Sequence, residues 1–124
     1  MSTHMSEGPV LVVISVDPEV SHRANEAVRI ALGIIAGEND VIIALLGPAA
    51  KILSPEVEDY VDGEDILKHI TTLKKLGQLF HVARDATRHD GDPGDWNPIG
   101  VEVAPLDTPQ LARLMASSRR VLVF

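Results

Sequence analysis

Cysteine is absent from all 124 residues, which removes disulfides, zinc–thiolate sites, thiol nucleophiles and persulfide carriage from this chain. Aromatic residues make up 3% of it, so the core must be assembled from Val, Ile, Leu and Ala. Bases are outnumbered, 11 Lys and Arg against 18 Asp and Glu, for a formal charge of −7. A nucleic-acid binder needs a basic footprint to release counterions, and that class is excluded. No run approaches the ~20 apolar residues that span a bilayer, and no signal-peptide pattern opens the chain. Neither a G-x-G-x-x-G fingerprint nor a P-loop is present. The expectation is a soluble, cytoplasmic protein with no membrane contact.

What remains is one domain's worth of chain. Residues 1–8 are expected to be a disordered leader or a cloning scar, and residues 9–124 a single α/β domain. Val10-Leu11-Val12-Val13-Ile14 is a continuous β-branched run, continuing to Val16, that suits a strand buried on both faces. Ala24, Ala27, Val28, Ala31, Leu32 and Ile35 then follow helical spacing, with Gly37 as the stop. Ile30 and Ile34 widen that apolar face, so the helix is either sandwiched in the fold or covered by another subunit. Residues 41–46 form a second buried strand, closed by Gly47-Pro48, and Ala49 to Leu53 add a helical turn.

Six acids and no base lie between Glu56 and Asp65, a pattern of a solvated loop whose end starts the next helix. That helix places Ile66, Ile70 and Leu73 on one face and stops at Gly77. Strands are expected over 79–83 and 99–104, the second closed by Pro105. Thr108 caps a last helix with Pro109 in its first turn and Leu111, Leu114 and Met115 toward the core. Residues 120–124 supply a fifth strand. Strands alternating with helices predict right-handed crossovers and a three-layer α/β/α domain with a five-stranded parallel sheet, flavodoxin-like in general appearance.

The order of these pieces resembles the DsrE/DsrF-like family, which includes bacterial sulfur-relay subunits. The likeness covers residues 9–124. It rests on the opening strand, the alanine-rich helix from Ala24 to Ala36, and Leu45-Leu46-Gly47-Pro48-Ala49-Ala50 with Lys51-Ile52-Leu53 following. Leu73-Lys74-Lys75-Leu76-Gly77 and the terminal Val121-Leu122-Val123-Phe124 complete it. The resemblance implies the fold, a homo-oligomer or mixed assembly, and a pocket at the carboxyl ends of the strands. In catalytic members a cysteine after the third strand carries sulfur as a persulfide. The matching stretch here, Val82-Ala83-Arg84-Asp85-Ala86-Thr87-Arg88-His89, has no thiol.

Ligands of open parallel sheets sit beyond the strand carboxyl ends, where Ser15, Asp17, Ser21 and His22 arrive with Arg84, Asp85, Arg88 and His89. The two arginines suit an anion, as do free N–H groups at the first helix start. Ser21 is equally a natural cap and the charges equally surface pairs. Trp96, the sole tryptophan, either pins its loop or anchors a partner. His81, Asp85 and His89 would share a face only if helical, and a strand at His81 breaks that metal geometry. No metal, cofactor or catalytic residue is assigned. The function expected is a non-catalytic DsrE/F-like protein binding a partner protein or small anionic ligand, accessory to intracellular sulfur metabolism. The alternative is a small-substrate enzyme using His89, Asp85 and Arg84 without covalent sulfur transfer. A receiver-like signalling domain fits less, lacking the acidic cluster after the first strand and the lysine after the last.

Overall fold

The structure is a computed structural model, and it describes residues 8–83 and 96–124. Strand β1 (Val10–Ile14) is buried at every position, as a β-branched run facing apolar layers on both sides should be. It pairs in parallel with β2 (Val41–Leu45) on one side and β5 (Arg120–Val123) on the other. Strand β3 (Leu79–Ala83) joins β2, and β4 (Glu102–Leu106) joins β3, giving the order β4-β3-β2-β1-β5. The expected five-stranded parallel sheet is what forms.

The chain steps one way from β1 to β4, so right-handed crossovers put α1 (Arg23–Ala36) and α2 (Gly63–Lys75) on one face. The return from β4 to β5 runs through α3 (Thr108–Ser117) over the other face. The two faces are unequal. Under α1 and α2, the alternate β1 residues Val10, Val12 and Ile14 join Ile43, Phe80, Val28, Ile66, Ile70 and others in one large cluster. Under α3, Leu11, Val13, Ala44 and Leu106 make a small one, with Leu111 and Leu114 packed against it.

Several expected boundaries move, each for a local reason. The fourth strand lies at 102–106 rather than 99–104. The buried Asn97 takes both backbone groups of Val101 with its side-chain amide, at 3.0 Å and 3.3 Å, so that stretch closes on itself before the ladder begins. Pro105 then sits inside the strand, opposite Val82, which an edge strand tolerates because no neighbour needs its missing N–H. Helix α3 is capped by Asp107 rather than Thr108, in a capping box with Gln110, each bond 2.8 Å. Met115 is 43% exposed and not in the core. The acidic stretch is not simply a loop: Val57–Asp59 forms a 3-10 turn that buries Val57, while all six carboxylates stay exposed. Residues 1–7 of the expected leader lie outside the described residues.

One close approach governs how α2 enters. A Cβ on Gly63 would lie 2.1 Å from the Val57 carbonyl oxygen, so the helix start fits against the 3-10 turn only as glycine. Gly63→Ala is expected to cost at least about 1–3 kcal/mol by overpacking, as no flexible group can yield. Asp107→Ala should cost about 1 kcal/mol through the lost cap. Urea unfolding measures both, and a Gly63→Ala protein as stable as the parent would contradict the contact.

Candidate functional site

The carboxyl ends of β2, β3 and β4 open onto two hollows that meet at Gly47. On the α3 side, about 380 Å³ lies between Leu46, Gly47, Ala83, Leu106, Thr108 and Leu111. On the α2 side, about 440 Å³ is lined by residues including Glu19, Pro48, Lys51, Ser54, Tyr60 and Trp96. Gly47 has φ +54° with open space where a Cβ would go, so glycine is required by conformation rather than crowding. It turns β2 directly into the 3-10 helix Gly47–Leu53 that places Lys51.

Lys51 is the one cation among the described lining residues, and it is already paired. Its Nζ donates to Glu19 Oε2 at 2.5 Å and Asp17 Oδ2 at 3.5 Å. The Glu19 hydrogen bond, partly opposed by desolvation, lifts its pKa above the ordinary lysine value. Asp17 Oδ1 also accepts the Glu19 N–H at 3.0 Å, which sets the turn after β1. Such exposed pairs hold geometry more than stability, at about 1 kcal/mol or less. Ser54 and Tyr60 share a hydroxyl hydrogen bond of 3.0 Å. Among the described residues lining the α3-side hollow the one charged group is Asp107, whose Oδ1 accepts the Gln110 N–H. The described walls thus join apolar residues such as Leu46, Ala83, Leu106 and Leu111 to an acidic rim, where Lys51 is already matched by Asp17 and Glu19 and Glu56 adds a further carboxylate.

The residues expected from sequence fall into three groups. Asp17 reaches the rim through Lys51, and the half-buried Trp96 forms part of a hollow's wall. Ser15, Ser21 and His22 line neither hollow. Ser15 ties β1 to the strand beside it, its N–H and Oγ both donating to the Phe124 carbonyl at 2.8 Å and 3.1 Å. Ser21 Oγ accepts the Arg23 N–H at 3.1 Å. His22 Nδ1 lies 2.8 Å from Asp62 Oδ2 and pins α1 to the start of α2. Arg84, Asp85, Arg88 and His89 lie outside the described residues. Lys51, Ser54, Tyr60 and Thr108 come from segments whose periodicity signals only turns and caps; the one hint was the Gly47-Pro48 strand stop.

The sequence profile of the DsrE/DsrF-like family matches residues 9–124. The chain belongs to that family. Among matching solved structures is the ychN protein from E. coli, with a TM-score of 0.75 at 20% identity. The alignment covers 94% of this chain and 99% of that one, a likeness of fold alone. No curated protein matches the chain. This DsrE/DsrF-like chain ends β3 at Ala83, inside the α3-side hollow, and continues into a segment without the relay cysteine. Among the described residues, no cluster of three or more His, Asp or Glu is arranged to hold a metal. None of the described helices is long and apolar enough to cross a membrane.

His81 occupies β3 as expected, half-buried between Ala44 and Ala104. Desolvation lowers its pKa below the ordinary 6.5. As pH falls, the unfolded chain therefore takes up that proton before the folded one. The resulting stability is fully present above the unfolded value and declines as pH drops through it toward the lowered folded value. In thermal melts between pH 8 and 5, His81→Gln should show a shallower decline than the parent. Parallel curves would show that this ring does not set the slope.

Proposed function

We propose that this chain is a non-catalytic DsrE/F-like subunit, accessory to intracellular sulfur metabolism, that binds a partner protein at the carboxyl edge of its sheet. One observation carries the reading: a hollow opens at the end of β3, where the resemblance places the relay cysteine of catalytic members, while the chain has no thiol to bear sulfur. No other side chain can form a persulfide. Apolar wall residues, with the one described lining cation already paired to Glu19 and Asp17, favour a protein surface over a small polar substrate. Neither hollow contains a described histidine, so an enzyme reading through a histidine rests on His89 with Asp85 and Arg84. A small anion is the second reading, favoured by Arg84 and Arg88, which follow Ala83 in sequence. Homo-oligomerisation is supported by Ile30, Ile34 and Ile35 of α1, which are each only half-buried.

Three outcomes are expected. Incubation with a cysteine desulfurase and labelled cysteine leaves the chain unlabelled; reductant-sensitive label on it would end the non-catalytic reading. Arg84→Ala with Arg88→Ala weakens capture of partners or anions from cell extract and metabolite screens, with the melting temperature nearly unchanged, because exposed charges add little to folding. Equal binding by both proteins would remove those arginines from the site. Light scattering gives a mass above the monomer, and a monomer across a wide concentration range would contradict assembly.

A further inference from the structure

Among the described residues, the face crossed by α3 is wider than its cover. Five strands at about 4.8 Å spacing make a floor roughly 20 Å across, whereas one helix spans about 10–12 Å. Leu111 and Leu114 seat α3 over Leu11, Val13 and Ala44 near the middle of the sheet. The β3–β4 side of that face keeps His81, Ala83 and Ala104 half-exposed. Between it and α3 runs a groove of about 650 Å³, well within the range of small-molecule sites, roughly 300–1,000 Å³.

Its chemistry is one-sided. The floor is Ala104, Leu106 and the edge of His81, and the wall is the α3 stripe Gln110, Arg113, Leu114 and Ser117, spaced as one helix face. Among the described residues, no Asp or Glu lines it. Among the described residues, Arg113 and His81 have neither a hydrogen-bond nor an ion-pair partner. Gln110 spends its carbonyl oxygen on the Asp107 N–H at 2.8 Å, which leaves its NH₂ to donate. In a chain of formal charge −7, residues 108–124 hold Arg113, Arg119 and Arg120 and no acid. Unspent donors beside an apolar floor, with no carboxylate among the described lining residues, select an anion that carries a hydrocarbon body.

We propose that the groove between α3 and the β3–β4 side of the sheet binds a small organic acid, its carboxylate on Arg113 and its apolar chain along Ala104 and Leu106. This site adjoins the α3-side hollow, sharing Leu106 with it, and does not depend on the function assigned to the strand ends. A guanidinium–carboxylate contact is a charge-assisted bond whose loss costs about tenfold or more in affinity.

The test uses the full chain, with octanoate as probe and octan-1-ol as its neutral counterpart, each displacing the fluorescent anion 1-anilinonaphthalene-8-sulfonate. Octanoate is expected to bind at least tenfold more tightly than octanol. Arg113→Gln should weaken octanoate about tenfold, leave octanol unchanged and leave the melting temperature unchanged, since Arg113 is exposed. The Arg84→Ala, Arg88→Ala protein should keep its octanoate affinity, which separates this site from the strand-end one. Equal affinity for acid and alcohol, or an Arg113→Gln protein that binds octanoate like the parent, overturns the proposal. So does Ala104→Arg turning an oligomeric parent into monomers, because a second copy would then fill the groove.

Discussion

Burial of β1 between two parallel neighbours is the constraint on which the rest of this molecule depends. Val10, Val12 and Ile14 enter one cluster and Leu11 and Val13 the other, so five consecutive residues join both layers of the core. A strand placed centrally must be flanked on both sides, and here the second flank is the chain's last strand. That requirement forces the return from β4 to β5 across the whole sheet. Helix α3 is the segment that makes the crossing, and none of its residues is buried.

The unequal covering of the two faces follows. Two helices share the labour on one side: α2 is seated on the 3-10 turn where Gly63 meets the Val57 carbonyl, and α1 is tied to its start where His22 meets Asp62. Among the described residues one short helix serves the other, beside an open groove with unspent donors. The strand carboxyl ends lie between these regimes, and Gly47 lines the hollows on both sides. The hollows at the strand ends thus rest on backbone geometry that needs no thiol.

Most of the fold was legible in the sequence because its signals are strong and local. Short, mostly apolar runs placed β1, β2, β3 and β5 to within a residue or two, and apolar spacing with glycine stops placed α1 and α2. The order of these pieces, together with Leu46-Gly47-Pro48-Ala49-Ala50, carried the family resemblance. The error at β4 has a clear source. Ile99 to Ala104 alternates convincingly, but Asn97, four residues back, takes up Val101, and Pro105 is acceptable only because β4 is an edge. Alternation does not reveal which strand is outermost.

The candidate site was less legible, since lining a hollow is a property of space rather than of spacing. Ser15, Ser21 and His22 sit where the motif-level reading put them in sequence, yet their polar atoms are spent on holding elements together. Lys51 and Tyr60 belong to turns whose patterns carry no chemical signature, and folding alone brings them beside Trp96. By itself the sequence determined the parallel α/β class, the absence of any thiol chemistry and the acidic balance, because composition and short-range periodicity suffice for those. Only the tertiary structure decided which charges are paired, which strand is an edge and which face carries the open groove, because each depends on contacts between residues far apart in the chain.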